Sequence, residues 1–216
     1  MNTKEFRKHI KKHFAPKLHE LGFQGTDHHF VKHNNHLIYV LTIQADKHGG
    51  SCIMEMGVHL DFLPNSIGEF KSPLQFTAYD CEFRERLNKR SNWLQRLLSV
   101  ERERGYAYGE SEEEAIMAII EMREIFTHRG ISYFSQFNDF PESITTISLD
   151  EIKFSSKKLV DLGAPPNLRT ALLIARTYEF LSDPRRAKEF ASWGLHNIGN
   201  ASGLSEEFLR IISLSE

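Results

Sequence analysis

Residues 51–62, SCIMEMGVHLDF, show the clearest period-two pattern in this chain of 216 residues. Apolar residues occupy every second position and polar residues lie between them, which is typical of a β-strand with one face in the core. The apolar side comprises Cys52, Met54, Met56, Val58, Leu60 and Phe62, and the polar side includes Glu55, His59 and Asp61. This stretch therefore predicts a sheet with one buried face and one outer face.

Two further strands precede this one. We predict strands at Thr26–His33 and His36–Gln44, separated by Asn34-Asn35. Asparagine tolerates the positive φ that both central residues of a type I′ turn require, so this pair fits a two-residue hairpin turn. The connection Ala45–Gly50 closes a second hairpin, and the three strands form an antiparallel meander. A fourth strand is predicted at Thr77–Phe83.

Six of the eleven histidines fall within the meander. The predicted turns place His33 opposite His36 and His36 opposite His59, on the face away from the core. Directly opposed side chains lie roughly 4.5–5.5 Å apart, so these imidazoles could hold zinc with water in an open fourth position. His29 and Glu55 lie nearby, and either could act as a general base. The alternative is a row of partly solvated histidines. The same register predicts a core face of Phe30, Leu37, Tyr39, Leu41, Met54, Met56 and Val58.

Helices are predicted on both sides of the meander. Residues 3–21 carry an apolar stripe at helical spacing, which Pro16 weakens. Ser111, with Glu114 three residues later, forms a capping box ahead of an apolar run, and Gly130 is expected to end that helix. Sheet and helices together predict an α+β fold with an antiparallel sheet of about four strands.

The C-terminal part of the chain is predicted to be helical. Helices are expected near 149–161, 167–181, 184–198 and 205–213. Residues 167–198 resemble one tetratricopeptide unit, a helical hairpin with small and aromatic residues at defined spacings. The residues at those spacings are Ala175, Tyr178, Ala187 and Ala191. A single unit makes no groove, because such repeats normally need three or more. We predict domains at 1–147 and 148–216, with the second packed on the first.

Arg84 and Arg86 follow the predicted fourth strand and are candidate binding residues. Arginines at a strand end can clamp a carboxylate or a phosphate through paired hydrogen bonds. The alternative is a surface ion pair with Glu110–Glu124, a stretch with six Glu and a single Arg.

Composition argues against several classes of protein. The net charge of −2 argues against broad electrostatic capture of nucleic acid or of an anionic membrane, although residues 1–17 carry six Lys or Arg and one Glu. Cys52 and Cys81 cannot form a disulfide scaffold. The longest apolar run, Leu37–Ile43, is far shorter than the roughly 20 residues of a membrane helix. We expect a cytoplasmic protein with no cofactor, unless the histidines bind zinc.

Several short motifs follow one another in an order that is typical of one protein family. They are Leu21-Gly22-Phe23, Phe30, Tyr39-Val40-Leu41-Thr42-Ile43-Gln44, Met56-Gly57-Val58, Asp80-Cys81, Arg86-Leu87 and Trp93. On these motifs, residues of about 5–145 resemble the bacterial family catalogued as domain of unknown function 4304. The resemblance implies an intracellular α+β domain and assigns no catalytic residue. A loose analogy with small toxin-immunity domains points to partner binding.

We therefore expect a non-enzymatic protein-binding module, toxin-immunity-like by that analogy, which uses a sheet face and the C-terminal helical hairpin. The absence of a catalytic motif and the uneven charge distribution motivate this expectation. The alternative is a small metal-assisted hydrolase built on His33, His36 and His59. Nucleic-acid binding through the basic first helix ranks below both.

Overall fold

A computed structural model describes residues 1–65, 68–88 and 105–214. The chain divides into two compact units, 1–135 and 136–216. The division lies nearer the N-terminus than the predicted boundary at 147/148. Within the described ranges, no helix is long and apolar enough to cross a membrane. Trp93, the last of the motifs that carry the family resemblance, lies outside the described residues.

The first unit contains an antiparallel sheet, which confirms the predicted α+β class, and its described residues form six strands rather than about four. The strands are β1 (Gln24–Gly25), β2 (His29–Asn34), β3 (Leu37–Ala45), β4 (Ser51–Leu60), β5 (Phe83–Arg86) and β6 (Tyr106–Ala107). They are ordered β1-β2-β3-β4-β5, and β6 also pairs with β4. The two extra strands have only two residues each, too few to produce an alternating pattern.

The predicted register of the meander is wrong by two positions. The hairpin turn is Asn35-His36, with φ of 47° and 64°, and Asn34 therefore opposes Leu37. The row that was expected to hold three histidines instead has Ile38 at its centre, between His33 and His59. A shift of two residues leaves every side chain on its original face. The hydrophobic pattern therefore cannot distinguish the two registers.

The predicted core face is confirmed, because that shift preserves the alternation. Its seven residues are all buried: Phe30, Leu37, Tyr39, Leu41, Met54, Met56 and Val58. Helical segments cover this face, with Phe134 against the Tyr39 ring (5.5 Å between centroids) and Met122 against Cys52. Phe126 makes edge contacts with Phe14, Phe23 and Phe134. Aromatic packing thus joins the helices to the sheet.

The N-terminal helical region is interrupted. Helices span Thr3–His13 and Ala15–Glu20, and the break at Phe14 (φ −120°) allows Pro16 to lie in the first turn of the second helix. A proline there costs little, because the N–H that it lacks has no partner within the helix. The predicted single helix over 3–21 is therefore two helices.

The capping box at Ser111 is confirmed, with the Glu114 amide donating to Ser111 Oγ at 3.1 Å. A helix runs over Glu112–Ile125, but the predicted end at Gly130 is wrong. The chain continues through a π-helical turn at Phe126–Gly130 into a helix at Ile131–Ser135. Gly130 is needed for packing, since a Cβ there would lie 2.6 Å from Phe126 Cδ2.

The predicted strand at Thr77–Phe83 is wrong. Ala78–Asp80 forms a 3₁₀ turn, and the strand begins only at Phe83. Asp80 closes the turn by accepting hydrogen bonds from the Thr77 amide at 2.8 Å and the Thr77 hydroxyl at 2.7 Å. This local capping competes with strand pairing, although Thr77, Tyr79, Cys81 and Phe83 alternate as a strand would.

The second unit is helical. Its helices are Glu142–Thr145, Leu149–Lys153, Lys157–Asp161, Asn167–Phe180, Pro184–His196 and Ser205–Ser213. The predicted helix at 149–161 is interrupted at Ser155, which has a φ of 46°. The predicted hairpin at 167–198 is confirmed, with the Tyr178 and Phe190 rings 5.7 Å apart. Arg210 of the last helix donates to Glu179 of the hairpin at 2.6 and 2.7 Å.

Candidate functional site

Two of the three predicted zinc ligands meet at a carboxylate. His33 Nε2 lies 2.7 Å from Asp61 Oδ2, and His36 Nδ1 lies 3.1 Å from Asp61 Oδ1. The type I′ turn and the end of β4 bring these residues together. Asp61 was missed as a partner, although the period-two pattern places it on the same side as His59.

The third predicted ligand, His59, lies in a different environment. Its side chain is fully buried, its ring packs 4.7 Å from Phe76, and its Nε2 donates to the Leu63 carbonyl at 3.2 Å. Among residues 1–65, 68–88 and 105–214, no group of three His, Cys, Asp or Glu side chains is placed to hold a metal ion. Zinc binding by His33, His36 and His59 stays a prediction.

Four polar residues form a row across the outer face of the sheet. His29 opposes Thr42, Thr42 opposes Glu55, and Glu55 opposes Arg86. We call these four residues the polar row. The register therefore separates His29 and Glu55 from the His33 and His59 row, although both rows lie on the same face.

Arg84 and Arg86 both approach Glu55, which is only 5% exposed. Arg86 donates from Nε and Nη2 to Glu55 Oε1 at 3.2 and 2.8 Å, whereas Arg84 Nη2 lies 3.9 Å from the same oxygen. The structure thus gives the two arginines a carboxylate partner within the sheet, in place of the predicted partner at Glu110–Glu124. Glu55 fixes negative charge beneath two guanidinium groups.

Tyr79 lies over the end of this row. The Arg84 guanidinium stacks on its ring, with Cζ 4.6 Å from the centroid, and its hydroxyl donates to Gln44 Oε1 at 2.8 Å. Partial burial and the neighbouring Glu55 carboxylate raise the pKa of Tyr79, so the phenol stays protonated as the donor. Tyr79, which Gln44 holds in place, and Glu55 therefore fix the orientation of Arg84 from three separate segments.

A loop covers the outer face, and we call residues 68–82 the covering loop. Asp80 organises it by accepting from Lys71 Nζ at 2.6 Å and from Asn65 Nδ2 at 3.1 Å, in addition to Thr77. Burial alone would raise the pKa of Asp80, but the bonds from Lys71 and Thr77 outweigh it and lower the pKa to about 2. One buried carboxylate thus holds several parts of the loop together.

The covering loop contacts the sheet at a glycine. A Cβ at Gly57 would lie 2.6 Å from Cys81 Sγ and 3.2 Å from Ala78 Cα. The Ala78 amide also donates to Thr42 Oγ1 at 3.3 Å. Cys81 fills the space above Gly57 as a small apolar group, and burial raises the pKa of its thiol. This thiol is therefore protonated at neutral pH and packs as part of the core.

The polar row includes polar atoms without partners. Both ring nitrogens of His29 and Oε2 of Glu55 are buried, with no hydrogen-bond partner in the described part of the chain. Burial lowers the pKa of His29, so its imidazole is neutral at pH 7. The Leu74 backbone lies close to the His29 ring and partly offsets this lowering of the pKa. The contact does not have the geometry of a hydrogen bond.

The covering loop also exposes large apolar side chains. Phe70 is 73% exposed, Leu74 55% and Tyr79 45%. Leu74 lies near the His29 end of the polar row, and Tyr79 lies near Glu55. We call Phe70, Leu74, Tyr79 and Arg84 the loop patch. Phe70 and Leu74 were missed, because their segment lacks a regular apolar period that would draw attention to them.

A family model described as Domain of unknown function (DUF4304) matches residues 14–136 of the chain. The match covers more than half of the 216 residues and ends next to the boundary of the first unit at Ser135. No curated protein and no solved structure matches the chain.

The motifs that carry the predicted resemblance have structural roles in this fold. Gly57 leaves room for Cys81 of the covering loop, and Asp80 holds that loop together. Arg86 balances the buried Glu55. The extent of the match and these contacts agree with the resemblance that the motifs predicted, and the chain belongs to the DUF4304 family of domains of unknown function.

Proposed function

We propose that this chain is a protein-binding module and that its first unit binds a partner through the loop patch. The observation that carries the proposal is the exposure of Phe70, Leu74 and Tyr79 on one loop, with the Arg84 guanidinium stacked on the Tyr79 ring. A toxin-neutralising role is one form of such binding, by the analogy drawn from the sequence.

The chemistry of the loop patch supports this proposal. Aromatic residues and arginine are enriched where protein interfaces are fully buried, and tyrosine and arginine are frequent among the residues that dominate binding energy. Phe70 and Leu74 supply apolar area that a partner can remove from water. Arg84 adds a charged donor whose orientation is already set by Tyr79.

The patch is also preorganised. Asp80 bonds to Lys71, Asn65 and Thr77, which ties the two ends of the covering loop together. The contact of Cys81 with Gly57 anchors the loop on the sheet. A loop that is ordered before binding loses less conformational entropy when the partner arrives, so the same contacts give tighter binding.

The proposal is tested by comparing capture of partners by the full chain and by a patch variant. In the variant, Phe70→Ser and Leu74→Ser remove the apolar side chains. The matched control is Phe154→Ser in the second unit, since Phe154 is 81% exposed. We expect the wild type and the control to retain the same partner. The patch variant should bind that partner at least about tenfold more weakly.

The captured partner is then purified and its affinity is measured by titration calorimetry against all three chains. Truncation of central interface residues commonly costs more than about 1 kcal/mol each, so the combined loss is well above the error of the method. Equal affinity of the patch variant and the wild type would refute the proposal. So would capture profiles that do not differ between them.

A further inference from the structure

Arg84 has hydrogen-bonding capacity that the fold does not use. Its Nη2 lies 3.9 Å from Glu55 Oε1, beyond hydrogen-bond distance, and that oxygen already accepts two bonds from Arg86. Within the described residues, no acceptor forms a hydrogen bond with the Arg84 guanidinium. A guanidinium carries several N–H donors in one plane, so these donors are open to a ligand.

The surroundings hold this guanidinium at the surface. Arg84 opposes Gly57 across the strands, and a glycine offers no side chain to contact it. Tyr79 supports one face of the guanidinium at 4.6 Å, while 42% of the Arg84 side chain is exposed. Stacking on the face leaves the edge of the group free, which is where a carboxylate binds in paired hydrogen bonds.

Among the described residues, Arg84 differs from the cations Arg86 and Lys71 in making no hydrogen bond to a carboxylate. Arg84 and Arg86 together face a single carboxylate, Glu55, and the nearby Lys71 is already paired with Asp80 at 2.6 Å. A polyanion is normally held by several cationic side chains at once. One guanidinium with unused donors, stacked on the half-exposed Tyr79, instead matches a single carboxylate with an apolar neighbour.

We propose that Arg84 receives a carboxylate from an acidic segment of the protein partner, while an apolar side chain of that segment packs on the loop patch. This inference rests on the proposed function and specifies the partner's chemistry. Glu55 positions Arg84 through its charge and remains paired with Arg86. The incoming carboxylate takes the free N–H edge of Arg84 without displacing Glu55.

The test uses the full chain and a display library of random peptides. Each selected peptide is synthesised in two versions. One keeps its Asp and Glu residues, and in the other every Asp is replaced by Asn and every Glu by Gln. Affinities are measured by fluorescence anisotropy against the wild type, Arg84→Gln and Arg84→Lys. The control is Arg185→Gln, which removes the same charge from an exposed arginine of the second unit.

We expect the selection to enrich peptides with Asp or Glu beside an apolar residue. Affinity should fall about tenfold or more when the acid is converted to the amide, or when Arg84→Gln replaces the wild type. Arg84→Lys should give an intermediate loss, because an ammonium lacks the planar fork. Arg185→Gln should bind as the wild type does. Thermal melts of the Arg84 variants check that the fold is retained.

Failure of this inference differs from failure of the proposed function. If Phe70→Ser with Leu74→Ser weakens partner binding while Arg84→Gln does not, the loop patch is the interface and the carboxylate inference is wrong. Selection of peptides without acidic residues, equal affinity of the acid and amide versions, or enrichment of no peptide at all would each overturn the inference.

Discussion

The two faces of the sheet in the first unit are covered in different ways. The inner face is apolar, with buried residues such as Leu41 and Met56 packed beneath helices. The outer face carries the polar row beside a second apolar cluster, and a loop organised by the single carboxylate of Asp80 covers it. That cluster consists of Val31, Ile38 and Val40 of the sheet with Phe76 and Cys81 of the loop. The inner face therefore depends on apolar packing against helices, whereas the outer face combines a smaller apolar cluster with a few specific hydrogen bonds.

This difference explains why function is proposed for the outer face. The helices that cover the inner face expose single apolar side chains such as Met117, but in their described residues no arginine is stacked on an aromatic ring beside them, as Arg84 is on Tyr79. A loop held by hydrogen bonds can be rigid and still expose Phe70, Leu74 and Tyr79. The comparison makes three predictions about stability, which follow in order of expected size.

The largest effect is expected on the inner face. Leu41→Ala should lower the free energy of unfolding by about 2–5 kcal/mol, because it removes buried methyl groups and leaves a cavity. Urea denaturation followed by circular dichroism measures the change. Leu74→Ala is the control, and we expect a change within about 0.5 kcal/mol, since Leu74 is mostly exposed. Equal losses for the two variants would contradict the division into a packed face and a surface loop.

A smaller loss is expected where the covering loop contacts the sheet. Gly57→Ala should destabilise by about 1–3 kcal/mol, because the new Cβ would lie 2.6 Å from Cys81 Sγ. Combining it with Cys81→Gly removes the clash, and a double-mutant cycle should show favourable coupling between the two changes.

Gly203→Ala provides the control for that cycle. A Cβ at Gly203 meets no atom within 4 Å, so the substitution should leave stability almost unchanged. Strictly additive effects of Gly57→Ala and Cys81→Gly would show that the two residues do not share the proposed contact.

The smallest of the three effects concerns Asp80 and depends on pH. The folded-state pKa of Asp80 is lowered from 3.8 to about 2, so its contribution is complete above about pH 4 and is lost as the pH falls toward 2. Asp80→Asn should therefore cost about 1–2 kcal/mol at pH 6, and the difference from the wild type should shrink on acidification. The amide keeps part of the hydrogen bonding, which limits the loss.

Urea denaturation at a series of pH values measures this dependence. Asp161→Asn is the control, because Asp161 is exposed and its removal should not change the slope of stability against pH. A constant difference between Asp80→Asn and the wild type from pH 6 to pH 2 would exclude the proposed role of the Asp80 charge.

Much of the inner face was predictable from the sequence. The alternation in residues 51–62 placed Met54, Met56 and Val58 in the core, and all three are buried. The capping box at Ser111 and the hairpin at 167–198 were also predictable, because each depends on residues close together in the chain. Local chemistry is sufficient for such features.

The outer face was predicted less well. A shift of two residues in the register moved Ile38 between His33 and His59, and no local pattern distinguishes that register from the predicted one. The turn at Ala78–Asp80 resembles a strand in its alternation, but Asp80 and Thr77 close it through hydrogen bonds. Both errors arise from interactions that compete with an otherwise regular pattern.

The candidate site shows the same limit. Arg84 and Arg86 were identified from their position after a strand, but their carboxylate partner lies about thirty residues earlier, at Glu55. The sequence does not predict which carboxylate lies opposite which arginine, because that depends on strand pairing. Phe70 and Leu74 are exposed on a loop whose path depends on contacts between distant segments, such as the bond from Lys71 to Asp80.

The sequence by itself determined the α+β class, the side of the sheet that enters the core, the helical hairpin and the family. Each of these follows from periodicity, capping or short motifs, which act within a few residues. The tertiary structure alone decided that His29, Thr42, Glu55 and Arg86 share a row and that Tyr79 supports Arg84. Contacts between distant segments depend on register and on loop closure, and an alternating pattern of apolar residues specifies the face of a strand without specifying its partner residue.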